Sequence, residues 1–236
     1  MLNPLLRGLA LALWAVVLLQ SSVDGRLDLL LRAAFHPLVS AGGGVLLILA
    51  LLQLLAGVRG ARAGEGRGGV GSGGEGSGAR GDRRLCVATA AIALLLILWP
   101  PNPSFADLAS QRPGDDTATE SLSFVLPPAQ RSLTDWVRLL RSQPDPQLFD
   151  GDPVRISGFL LPVQGQPPQI ARLLVRCCLA DATPVGLPVR WPSDQPLPKA
   201  DQWLAIEGSM AADGDQLVVV PAMIRPIPRP ARPLEP

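Results

Sequence analysis

The feature that most constrains this chain is the stretch Leu38–Val58, 21 residues long and free of charge. At about 1.5 Å per residue a helix of that length matches a hydrocarbon core of about 30 Å. A soluble domain has no use for such a run, so a membrane-spanning helix is expected here. Gly42-Gly43-Gly44 near its entrance have two readings: small residues that let another helix approach closely, or a flexible helix start. An earlier apolar run, Leu5 to about Val23, is also long enough to cross and carries Arg7 near its beginning. A cleaved signal peptide is the rival reading. The exit Leu19-Gln20-Ser21-Ser22-Val23-Asp24-Gly25 has no good small-x-small cleavage site, so an uncleaved span is preferred.

A third run, Leu85–Trp99, has only 15 residues and stops at Pro100-Pro101. It covers roughly 23 Å, short of a full crossing, and Trp99 suits a membrane–water interface. An internal signal cleaved after Ser104-Phe105-Ala106 is the lesser alternative. Arginine bias then sets the orientation. Arg59–Arg84 holds six arginines and three acids, whereas Asp24–Pro37 holds two of each. The Arg-rich loop is expected in the cytoplasm. The short first loop and the C-terminal domain are then outside, provided that the third span is real. The expected location is the cell membrane, multi-pass.

The segments follow from composition. Residues 1–58 hold two spans, 59–84 a Gly/Arg-rich disordered loop, and 85–100 the third span. Residues 101–122 read as a linker, 123–225 as a soluble β-barrel-like domain, and 226–236 as a Pro-rich tail. Gly57–Gly81 contains twelve glycines among Ser, Arg and Glu, a composition that forms no core. It has no Gly-Lys-Ser/Thr and no preceding strand, so it is not a phosphate-binding loop.

In the soluble region, Ser132-Leu133-Thr134-Asp135 opens a short helix with a capping box, and Trp136, Val137, Leu139 and Leu140 form its apolar stripe. Five β-like runs follow: Val154–Leu161, Ala171–Cys178, Thr183–Trp191, Gln202–Met210 and Gln216–Ile224. Alternation in Val154, Ile156, Gly158 and Leu160 marks half-buried strands. Five short strands, with glycines inside the first and fourth, predict an oligonucleotide/oligosaccharide-binding (OB)-like barrel, with a small sandwich as the alternative. Nucleic acid is not an expected partner. From Pro101 onward twelve Lys/Arg face fifteen Asp/Glu, and the strands carry only Phe159, Trp191 and Trp203 as stacking groups.

Three cysteines, Cys86, Cys177 and Cys178, are too few for a disulfide framework. Cys86 reads as a small buried hydrophobe. Cys177, Cys178 and Asp181 place two thiols and a carboxylate within five residues, a donor set that suits a metal such as zinc. Adjacent strand residues point to opposite faces, so both thiols reach one ion only if the strand ends or bulges there. A vicinal disulfide, a redox pair and plain packing are the other readings. His36, the chain's single histidine, is expected on the same side of the membrane and is a further candidate ligand. No Ser/His/Asp order, His-Glu-x-x-His or framed carboxylate pair is present, so an enzyme is not expected.

The motif Cys177-Cys178-Leu179-Ala180-Asp181-Ala182 carries a resemblance. Val154–Phe159, Trp203–Gly208 and His36-Pro37 extend it. The chain resembles the DUF1980-like family of bacterial membrane proteins, regarded as subunits of two-component permeases. Members join apolar N-terminal spans to a C-terminal domain with a Cys-Cys-x-Ala-Asp-Ala signature. The linker and the Pro-rich tail lie outside the resemblance. It implies a partner, a separate multi-span permease that forms the pathway. Members often have a His-rich loop between the second and third runs. Here Gly, Arg, Ser and Glu stand there instead, a departure that counts against a metal-collecting role for that loop. The expected function is therefore an accessory permease subunit. A stand-alone membrane-tethered metal or thiol redox module, and a ligand-free structural tether, are the alternatives.

Overall fold

The computed structural model describes residues 4–64, 77–112, 126–193 and 195–235. The chain divides into two compact units. One comprises Met1–Leu27 with Ala33–Asn102, the other Asp28–Arg32 with Pro103–Pro236.

The first unit is helical: α1 (Pro4–Val23), α3 (His36–Gly64) and α4 (Ser77–Leu98), while the one-turn α2 (Leu27–Leu30) straddles the boundary between the units. Two helices, over Leu5–Val23 and Ala33–Arg59, are long and apolar enough to cross a membrane. α1 and α3 meet through small residues. A Cβ at Gly8 would stand 2.8 Å from Leu54 Cγ, one at Gly57 2.8 Å from Leu5 Cδ2, and one at Gly43 3.0 Å from Leu19 Cδ2. Gly42 and Gly44 face open space, so only the middle glycine of the triplet serves close approach. Ala15 and Ala50 are buried, and Ser40 Oγ donates to Ser22 Oγ at 3.1 Å. The outward faces, including Leu38, Ile48, Leu52, Leu95 and Leu98, are exposed. α4 begins within the Arg-rich stretch, and only Leu85–Leu98 of it is apolar. Much of the expected disordered loop, residues 65–76, lies outside the described residues. Its flanks continue α3 and α4 as helix.

The second unit is built on an antiparallel sheet: β1 (Pro153–Leu161), β2 (Gln169–Leu174), β3 (Thr183–Pro188), β4 (Trp203–Asp213) and β5 (Gln216–Pro226). The order is β3-β2-β1-β4-β5. The sheet is not closed by a ladder. One isolated parallel bridge, Val189 with Val219, links the region after β3 to β5, with Arg190 N–H donating to Val219 O at 2.9 Å. The two strand glycines sit where backbones crowd. A Cβ at Gly158 would strike Ala171 O, and one at Gly208, beside the bulge at Glu207/Gly208, would strike Val220 O.

One sheet face packs on α6 (Leu133–Ser142) through Trp136, Leu139, Ile156, Ile206 and Met210. The helix starts as the sequence predicts. Asp135 N–H donates to Ser132 Oγ at 3.2 Å, and Ser132 N–H donates to Asp135 Oδ2 at 2.9 Å. Arg131 is buried over the Trp136 ring at 4.5 Å and paired with Asp152 at 3.2 Å.

A second cluster joins Phe105, Phe159, Leu173 and Trp203. Phe105 comes from α5 (Phe105–Ser110), inside the stretch read as a linker. Its N-terminus is fixed from a distance, because Asp201 Oδ1 accepts from Ala106 N–H at 2.6 Å. The tail likewise joins the sheet. β6 (Leu234–Glu235) pairs parallel to β2, and Arg172 meets Glu235 at 3.3 Å. Both segments lie within the domain, although each is too short to carry a pattern in the sequence.

Candidate functional site

β2 ends at Leu174, earlier than the Ala171–Cys178 run expected from pattern. That early end decides the geometry of the cysteines. Val175 stays buried, and its N–H donates to Glu235 O at 2.9 Å. Arg176, Cys177 and Cys178 then leave the sheet and lead into a 3-10 turn, Leu179–Asp181. Released from strand alternation, the two thiols lie side by side, Sγ to Sγ 3.4 Å. They are free thiols, not a disulfide.

Asp181 folds back under them. Its Oδ1 accepts from Arg176 N–H at 2.9 Å, and its Oδ2 from Cys177 N–H at 2.8 Å and Cys178 N–H at 3.4 Å. The carboxylate thus gathers three consecutive amides, and this holds the loop in its tight form. Donor atoms of Cys177, Cys178 and Asp181 all lie within 4.8 Å of one another. Cys177 is exposed, while Cys178 and Asp181 are half-buried.

Groups outside the motif fix its backbone. Arg112 Nη1 donates to Leu179 O at 3.1 Å and Ala182 O at 2.6 Å, clamping both ends of the 3-10 turn. Ala182 is buried, and Leu179 packs on the second core cluster. Residues Asp28–Arg32 also belong to this unit. Arg32 N–H donates to Cys177 O at 3.0 Å, Leu31 bridges Cys178 in antiparallel sense, and Asp28 pairs with Arg232 at 3.6 Å.

The electrostatics favour a protonated Cys177 thiol. A hydrogen bond to Asp181, then one to Cys178, and weaker desolvation push Cys177 up to about 12. Burial alone pushes Asp181 upward. The bonds it accepts from the Cys177 thiol and the three amides outweigh that and hold it below the ordinary carboxylate range.

Of the four residues singled out in the sequence, the structure brings together Cys177, Cys178 and Asp181. His36 opens α3 in the other unit. Arg112, Leu31 and Arg32 escaped sequence reasoning, because nothing local marks a residue that serves a loop far along the chain.

The comparisons with known proteins point to the same region. Residues 130–224 match the family model of the DUF1980 C-terminal domain. The match spans α6, most of the sheet and the cysteine loop, consistent with the resemblance carried by Cys177-Cys178 and Asp181. No curated protein matches the chain at a significant level.

Proposed function

We propose, for a chain whose residues 130–224 form a DUF1980 C-terminal domain, the role of accessory membrane subunit to a multi-span permease. Its helices dock on the partner, and its sheet domain stands on the extracytoplasmic side. The observation that carries this reading is the helical unit itself. α1 and α3 are drawn together by Gly8, Gly43, Gly57 and buried alanines. No ionisable residue lies in Leu38–Val58 to relay an ion. Helices packed in this way offer no path for a solute.

α4 adds a second argument. Its apolar part, Leu85–Leu98, covers about 21 Å, less than a bilayer core. A short span is better accommodated against protein than alone in lipid, so a neighbouring bundle is its natural setting.

The placement of Asp28–Arg32 supports the orientation. This loop precedes α3, and the sheet domain follows α4, yet both belong to one compact unit. A shared side of the membrane, as two crossings by α3 and α4 would give, accords with that. Arginine bias makes that side the outside. The domain reads as a partly open OB-like barrel. The order β3-β2-β1-β4-β5, with edges meeting at Val189 and Val219, supports this.

The test is affinity purification of the full chain from gently solubilised native membranes after in-cell crosslinking. A crosslinked polypeptide with many spans is expected. Recovery of the chain alone, under conditions that keep it folded, sinks the reading.

A further inference from the structure

We propose that Cys177, Cys178 and Asp181 form an exchange site for a thiophilic divalent cation of the zinc class, with three donors from this chain and a fourth position open to solvent. The inference goes beyond the accessory-subunit reading and is independent of it, since the site is contained in one unit of one chain.

The first ground is distance. Two thiolates on one tetrahedral zinc, at about 2.3 Å each, stand about 3.8 Å apart. The Sγ atoms are already 3.4 Å apart, so a few tenths of an ångström bring them to that spacing. A linear two-thiolate site with the same bond length would need about 4.6 Å, a far larger rearrangement of adjacent residues. The geometry therefore favours a tetrahedral ion.

The second ground is the third donor. Asp181 is held by three amides, one on Oδ1 and two on Oδ2, and the bond it also accepts from the Cys177 thiol leaves with that thiol's proton when the ion binds. A carboxylate oxygen has two lone pairs, so Oδ1 keeps one for a cation without dismantling the loop.

The third ground is preorganisation. Arg112 on Leu179 and Ala182 carbonyls, the Arg32–Cys177 bond and the Leu31–Cys178 bridge hold the loop from outside the motif. An ordinary surface pair of cysteines lacks such support. Structural zinc sites close with four protein ligands, while sites that turn over their ligand keep one position open. With three donors and Cys177 exposed, this site belongs to the second kind.

Binding is balanced as follows. The divalent ion takes both sulfurs as thiolates and the carboxylate as it stands. The two thiol protons pass to solvent, and no electron moves. The site then carries one net negative charge.

The experiment uses the reduced full chain in detergent micelles, with cobalt(II) alone as spectroscopic probe and zinc(II) as competitor. One equivalent of cobalt is expected, with a near-ultraviolet thiolate-to-metal band that zinc abolishes. Cys177→Ser and Cys178→Ser should each weaken binding at least tenfold and diminish the band, whereas Cys86→Ser should change neither. Asp181→Asn should weaken binding while keeping the band. A second measurement needs no variant. Zinc should protect Cys177 and Cys178 of the wild-type chain from alkylation, read by peptide mass spectrometry. Absence of the band, its persistence in both cysteine variants, or zinc-independent alkylation of the pair each overturns the proposal.

Discussion

At the level of single side chains, Asp181 controls what Cys177 can do. Its carboxylate keeps the thiol protonated, with Cys177 pushed up to about 12. The thiolate is the nucleophile, so an exposed cysteine in this state reacts slowly. Asp181→Asn weakens the hydrogen bond that holds the thiol proton and removes a charge that disfavours thiolate. Cys177 should then alkylate at least tenfold faster with iodoacetamide at pH 8, followed by mass spectrometry. The same residue gives a pH dependence with a definite sign. Asp181 titrates lower in the folded loop than its unfolded value of about 3.9. Its contribution is complete above that value and is lost as pH falls through the lower, folded one. Amide exchange at Cys177 and Cys178 should therefore accelerate selectively in that acid window, ahead of the β1–β4 ladder. The residue types of this site were legible in sequence. Their convergence was not, because it depends on β2 ending at Leu174 and on Arg112, 67 and 70 positions before its acceptors.

Among elements, the strands were the most readable, since alternation and turn residues mark most of them locally, although not the ends of β2 at Leu174 and β3 at Pro188. α6 was readable for the same reason, through Ser132 and Asp135. α5 and β6 were not. Six residues after a proline pair, and two near the terminus, carry too little pattern, and each is held by distant partners, Asp201 and β2. Phe105 is nevertheless fully buried against Phe159 and Trp203, with ring centroids 5.8 and 6.4 Å away. Phe105→Ala should cost about 3–5 kcal/mol, measured by denaturation of the sheet domain. A fragment 103–236 should accordingly outlast a fragment 123–225 in thermal unfolding. In the helical unit the glycine triplet offers a paired comparison. Gly43→Leu would drive a side chain into Leu18 and Leu19, whereas Gly42→Leu meets open space. Only the first should lower the temperature at which the detergent-solubilised chain aggregates. Sequence could not choose between the three glycines, because the face each presents depends on how α1 lies along α3.

For the molecule as a whole, topology is the property most exposed to test. In a chain stripped of its cysteines, Lys199→Cys introduces one exposed thiol on the sheet domain. A membrane-impermeant maleimide should label it in intact spheroplasts. Labelling only after the membrane is broken would reverse the orientation. The number of crossings was the least certain element of the sequence, since Leu85–Trp99 is short by any length rule. The Arg32–Cys177 bond links the first loop to the last domain within one compact unit.

That link also sets an order of events during synthesis. Arg32 leaves the ribosome 145 residues before Cys177 (177 minus 32). At about 5–20 residues per second, the wait is on the order of ten seconds. The cysteine loop acquires the edge that Leu31 and Arg32 give it only once residues 177 and 178 have been made and, on the proposed topology, brought to the same side of the membrane. Under the proposed topology, a molecule in which only one of α3 and α4 crosses would hold two pieces of one folding unit on opposite sides of the bilayer. On that topology the domain would be complete only in a chain that had made both crossings.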